Sequence, residues 1–186
     1  MKPYTTVIIM LLGIMISCSG DQSGNALISW KTEFNRNLDM FGHRNWILVV
    51  DKAFPEQSSP GMTYFYVEED LYRVLGYVLM EIENSSHVSP VIFRDAELEF
   101  IPENEAEGIT AFREESRKIL AGHEVNTMLH DEVFKMLDES SELFRVMVIK
   151  TNCNLPYTSV FIRLDCAYWN SEQEQNLRTV MSHYNP

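Results

Sequence analysis

The sequence predicts an α/β fold, a layered sandwich around a mixed, mostly parallel sheet. Three observations predict it. Trp46-Ile47-Leu48-Val49-Val50 is apolar at every position, as a strand covered on both faces must be. Between such runs, apolar residues recur at spacings of three and four, the helical period. The two kinds of segment alternate along the chain, an order that packs helices on a central sheet.

Each element follows from local pattern. Apolar residues at Leu27, Trp30, Phe34, Leu38 and Phe41 describe an amphipathic helix, and Gly42 is a natural stop for it. After the strand at Trp46, residues 62–67 form an aromatic-rich strand. Residues 68–82 are helical, with acidic side chains in the first turn, where the helix dipole favours them. Two short strands are expected at 91–93 and 98–101, around the charged pair Arg94-Asp95. Residues 105–120 make a helix that buries Ile109, Phe112, Ile119 and Leu120 and ends at Gly122. An extended piece at 125–129 leads into a helix over 131–142, and the last strands are 144–149 and 159–164. From Ser171, the residues Leu177, Val180, Met181 and Tyr184 mark a final short helix.

The first 18 residues, MKPYTTVIIMLLGIMISC, are not fold. Lys2 is a positive start, residues 7–16 are an apolar run too short to span a bilayer, and Ser17 is a small residue before Cys18. This is an export signal. Met15-Ile16-Ser17-Cys18 resembles a bacterial lipobox, and that resemblance implies cleavage before Cys18 and lipid attachment there. The plainer alternative is an ordinary signal peptide with an incidental cysteine. The polar SGDQSGN that follows suits a tether. The expected organisation is a signal peptide at 1–17, a tether at 18–26, one domain at 27–169 and a helical extension at 170–186. The protein would be exported and lipid-anchored to a bacterial membrane, on its periplasmic or outer-membrane face.

Fifteen Lys and Arg stand against 27 Asp and Glu, a formal net charge of −12. Such a surface repels nucleic-acid phosphates and anionic headgroups, so membrane contact is expected through the lipid alone. The partner class is a neutral small molecule or a protein, unless the charge serves only solubility. With Cys18 assigned to lipid, Cys153 and Cys166 remain. An extended strand between them would hold them beyond bonding distance, so two free or buried thiols are expected.

No phosphate loop, G-x-S-x-G elbow, paired-cysteine site or HExxH is present, and no metal is expected. Two strand-end clusters stand out. One is Gly42-His43 before a strand with Asp51 after it, and the other is the turn carrying Pro156-Tyr157 into the last strand. Strand ends of α/β sheets are where loops converge polar groups over a rigid base. Taken singly, each residue has a plain structural role. His43 is a helix-terminal histidine, Asp51 a turn carboxylate, Tyr157 a strand-start aromatic, His130 part of a helix start beside Asp131-Glu132, and Arg145 a solvated edge charge.

Together, Gly-His-x-x-x-x-hydrophobic-Val-Val-Asp-x-x-x-Pro at 42–55 and the later Pro-Tyr turn resemble the D-ribose pyranase and L-fucose mutarotase family over residues 27–169. The resemblance implies that His43 is the catalytic acid and Asp51 a substrate-binding aspartate. Tyr157 heads the substrate-binding turn, and His130 lies near a substrate-contacting histidine. It implies no cofactor, and a homo-oligomeric ring with pockets at subunit contacts. Three departures stand out: Asn45 replaces an aspartate, Ser159 an asparagine, and Lys150-Thr151-Asn152-Cys153 an Arg-Ser-Gly-Glu approach. A hydroxyl at 159 can still hydrogen-bond a sugar, with less reach than an amide.

Interconverting anomers or ring forms of a monosaccharide opens and recloses a hemiacetal. An acid protonates the ring oxygen while a base takes the anomeric hydroxyl proton, and histidine is suited to either at neutral pH. The expected function is that of a cofactor-free mutarotase or pyranase, an isomerase. The alternative is a non-catalytic sugar-binding or sensing lipoprotein that has lost turnover.

Overall fold

A computed structural model describes residues 29–184. The export signal, Cys18 and the tether lie outside the described residues. The elements in chain order are α1 (Trp30–Leu38), β1 (Trp46–Val50), β2 (Met62–Tyr66), α2 (Leu71–Asn84), β3 (Val88–Asp95), α3 (Ile109–Ile119), β4 (Val125–Met128), α4 (His130–Ser141), β5 (Val146–Lys150), β6 (Val160–Cys166) and α5 (Ser171–Ser182).

One six-stranded sheet runs β2-β5-β1-β6-β3-β4. Three of its pairings are parallel (β2·β5, β1·β5 and β3·β4), and β6 enters antiparallel between β1 and β3. The sheet is therefore mixed and mostly parallel, as expected. The alternation of β1 explains why it carries no polar residue. Ile47 and Val49 pack in a core under α1, α2 and α3, while Trp46, Leu48 and Val50 pack in a second core under α4. Both faces are covered, and the whole strand is buried.

One expectation is corrected. The segment around Arg94-Asp95 is a single eight-residue strand, β3, followed by a 3-10 turn at Ala96–Phe100, rather than two short strands. Charged residues in the strand read as a break, but here both are buried by layers above and below the sheet. Pro90 is tolerated because β4 begins its pairing only at Ile92, which leaves Pro90 with β6 as its one neighbour.

Cys153 and Cys166 are both free, and Cys166 is the last residue of β6. Among the described residues no helix is long and apolar enough to cross a membrane.

Candidate functional site

The topology brings the C-terminal ends of β1 and β3 alongside the start of β6. Asp51 directly follows β1, Asp95 closes β3, and Ser159 immediately precedes β6. Ser159 Oγ donates to Asp51 Oδ2 at 2.9 Å and accepts from the Asp51 N–H at 3.3 Å. The Ala53 N–H donates to Asp51 Oδ1 at 2.8 Å. These bonds fix the carboxylate and leave acceptor capacity on each oxygen. Ser159 is only 2% exposed, so its hydroxyl orients Asp51 rather than reaching out to a ligand.

Asp95 is 1% exposed. Its Oδ2 lies 3.0 Å from His130 Nδ1, and its Oδ1 has no partner. Burial pushes the Asp95 carboxyl above its ordinary pKa; His130 opposes this, and the nearby Glu97 and Asp51 carboxylates add to it.

His130 opens α4 because its backbone N–H is claimed from outside. Leu129, at the N-cap, has no side-chain acceptor, and Glu97 takes the His130 N–H with both oxygens, at 3.1 and 3.2 Å. Glu132 in turn accepts the Leu129 N–H at 3.2 Å. The imidazole packs 4.7 Å from the Phe134 ring and meets the Tyr157 ring edge-on at 5.2 Å. With Nδ1 held by Asp95, Nε2 is the nitrogen left for a ligand.

Tyr157 holds a left-handed backbone at φ 55°, a conformation that costs a side-chain-bearing residue about 1 kcal/mol or more. The turn enforces it. Thr151 Oγ1 donates to the Val50 carbonyl at 2.9 Å, Thr158 Oγ1 to the Leu155 carbonyl at 2.8 Å, and the Lys52 N–H to the Cys153 carbonyl at 2.8 Å. Lys150 Nζ donates to the Phe54 carbonyl at 2.7 Å and so ties the same loops together.

Asp51, His130, Tyr157 and Ser159 thus share one end of the sheet. His43 does not. It is exposed in the turn before β1, beside a cleft of about 380 Å³ that it lines with Asp165, Cys166, Tyr168 and Trp169. The run of β1 alone, about 13 Å, separates the two ends. Asn45 has a structural duty there: its Oδ1 accepts the Gly42 N–H at 2.8 Å and closes the His43 turn, which an amide does as well as a carboxylate. Arg145 is exposed, as a solvated charge should be, but it precedes β5, an interior strand, and not a sheet edge.

Sequence reasoning missed Asp95 and Glu97. The signal was the charged pair inside an apolar run, which was read as a gap between strands. Among the described residues, no group of three His, Cys, Asp or Glu side chains is placed to hold a metal ion.

The chain matches no protein-family model and no curated protein. It is similar in fold to the structure of Bacillus subtilis RbsD complexed with D-ribose, with a TM-score of 0.52 and 16% identity over 72% of this chain and 92% of that one. It also aligns with FucU from Bifidobacterium longum, with a TM-score of 0.47 and 11% identity over 72% and 93% of the two chains. A third alignment is with the fucose mutarotase of Streptococcus pneumoniae in complex with L-fucose, with a TM-score of 0.47 and 12% identity over 70% and 89%. At 16% identity the likeness to RbsD is one of fold alone.

Proposed function

We propose that this chain is a cofactor-free monosaccharide mutarotase or pyranase whose sugar sits over the Asp51, Asp95, His130 and Tyr157 end of the sheet. The observation that carries the reading is the buried Asp95 held on His130 Nδ1, which leaves Nε2 available at the same end of the sheet as an oriented carboxylate. The fold shared with RbsD, solved with D-ribose, supports it.

In this reading His130 Nε2 takes the anomeric hydroxyl proton as the bond from the anomeric carbon to the ring oxygen breaks. An acid delivers a proton to that oxygen, and reclosure of the open-chain aldehyde reverses both transfers. Asp51 accepts sugar hydroxyls in charge-assisted bonds, and the Tyr157 ring covers the apolar face. His43 supplies the acid from a second copy of the chain, since its own Asp51 is a strand's length away. The domain is carried on the tether from a lipidated Cys18. Membrane-extracted protein should then begin at residue 18 with added acyl mass; an unmodified chain starting elsewhere refutes the anchor.

A second reading, a sugar-binding lipoprotein without turnover, draws on the separation of His43 from the cluster within one chain. NMR exchange between anomers and ring forms of ribose and fucose decides. The unmutated protein should accelerate exchange above the buffer rate, and His43→Ala should reduce the acceleration ~10²-fold while retaining binding. Binding with exchange at the buffer rate selects the second reading, and neither binding nor acceleration ends both.

A further inference from the structure

His130 stands just past the edge of the sheet. β4 has four residues, pairs with β3 alone, and its ladder ends with Asp95 opposite Met128. Beyond that pair the chain turns into α4, whose first residue is His130 and whose leading backbone N–H groups have no partner within the helix. Glu97 and His130 each lie two residues past the last paired position. The Glu97 carboxylate takes the His130 N–H with both oxygens, at 3.1 and 3.2 Å, and so adds a side-chain rung where the backbone ladder has stopped.

One short segment therefore grips His130 at two points. Asp95 Oδ2 lies 3.0 Å from the ring at Nδ1, and Glu97 holds the backbone. The ring bond alone would let the imidazole pivot with its main chain; the second hold fixes the two together. The segment is itself braced from the other face of the sheet. Leu98 is fully buried, and Arg113 Nη1 on α3 donates to the carbonyls of Leu98, Glu99 and Ile101 at 3.2, 3.1 and 2.9 Å. Helix capping alone does not account for Glu97. Glu132 already accepts the Leu129 N–H at 3.2 Å, and Val133 and Leu137 anchor α4 in the second core.

We propose that Glu97 is a positioning residue for His130: by holding the start of α4 against the end of β3, it keeps the imidazole on Asp95 and Nε2 free for a ligand. Glu97 touches no reacting atom in this role and acts through His130. Its bond is charge-assisted, so it is stronger than the backbone rung it replaces. A carboxylate on Nδ1 selects the tautomer with the proton there, which leaves Nε2 as the acceptor that a base needs. The consequence for exchange rests on the sugar reading, whereas the consequence for the imidazole rests on geometry alone.

Two kinds of variant test it. Glu97→Gln keeps an acceptor for the His130 N–H, while Glu97→Ala removes it and Glu97→Leu fills the space without one. The 15N shifts of the His130 ring, read in the folded protein without sugar, report the tautomer. The unmutated protein and Glu97→Gln should show the proton on Nδ1, and Glu97→Ala and Glu97→Leu a mixture of the two tautomers. In the exchange assay with ribose and fucose, Glu97→Ala should lower kcat about tenfold or more and leave KM within about twofold, with Glu97→Gln recovering most of the loss. The proposal is overturned if Glu97→Ala and Glu97→Leu keep the single Nδ1–H tautomer, or if Glu97→Gln loses it as they do. It is overturned too if an active protein loses the tautomer without loss of kcat. A tautomer that responds as stated in a protein that leaves exchange at the buffer rate upholds the positioning of His130 and ends the enzyme reading instead.

Discussion

At Asp95 a carboxylate is buried with one oxygen on His130 and the other on nothing, an arrangement that lowers stability and orients an imidazole. Its folded pKa lies above the ordinary 3.8. Between those two values the folded chain keeps a proton that the unfolded chain has released, so stability from this group falls as pH rises through the window. Asp95→Asn removes that loss and keeps an acceptor for His130. Urea midpoints at pH 4 and pH 8 should show the variant gaining about 1 kcal/mol on the unmutated protein at the higher pH, with sugar exchange slowed ~10²-fold. A variant less stable at pH 8 would contradict this account. Ser159 makes a related point. Its residue type suggested a shortened sugar contact, but its hydrogen bonds to Asp51 and its burial make it a positioning group. Residue type was legible in the sequence, but the direction in which the side chain points was not.

At the scale of elements, periodicity located nearly everything, and the misreading at β3 has a local cause. A strand that buries Arg94 and Asp95 cannot be told from a break until α2, α3 and α4 are known to cover it. The β2 edge illustrates a different dependence on tertiary contact. Gly61 precedes β2, and a Cβ there would collide with the backbone carbonyls of Ser141 and Phe144 at the α4–β5 corner. Gly61 O also accepts the Val146 N–H at 3.0 Å, so the corner sets the register of β2 on β5. Gly61→Ala should therefore cost about 2 kcal/mol and lower the melting temperature, although the site lies at the far end of β2. An unchanged melting temperature would show that the corner yields. The last helix, α5, behaves oppositely. Its capping box of Asn170 with Gln173 and its Glu174–Arg178 pair are entirely local, and it buries no residue. The spacing of Leu177, Val180, Met181 and Tyr184 marked it in the sequence, although all four side chains are exposed.

For the whole molecule, the decisive geometry is that His43 and Asp51 stand at opposite ends of β1. The proposed chemistry then requires two copies, and mixing tests it. Co-assembled His43→Ala and Asp51→Asn chains should recover part of the exchange activity that each lacks alone, because some contacts would pair an intact His43 with an intact Asp51. Light scattering on the same samples should show an oligomer. Monomers, or oligomers without recovery, would remove the shared site.

The sequence by itself determined the α/β class, the alternation of elements and the identity of four polar residues that meet at one sheet end. Hydrophobic period and turn chemistry are local, and they survive reading one residue at a time. Only the tertiary structure decided that β6 inserts antiparallel between β1 and β3, because strand pairing joins residues far apart in the chain, such as Trp46 with Arg163 and Arg94 with Val160. That insertion sets Ser159 against Asp51 and Tyr157 against His130. The helices packed on the two faces bury Asp95 and Arg94, and the length of β1 holds His43 away from all of them.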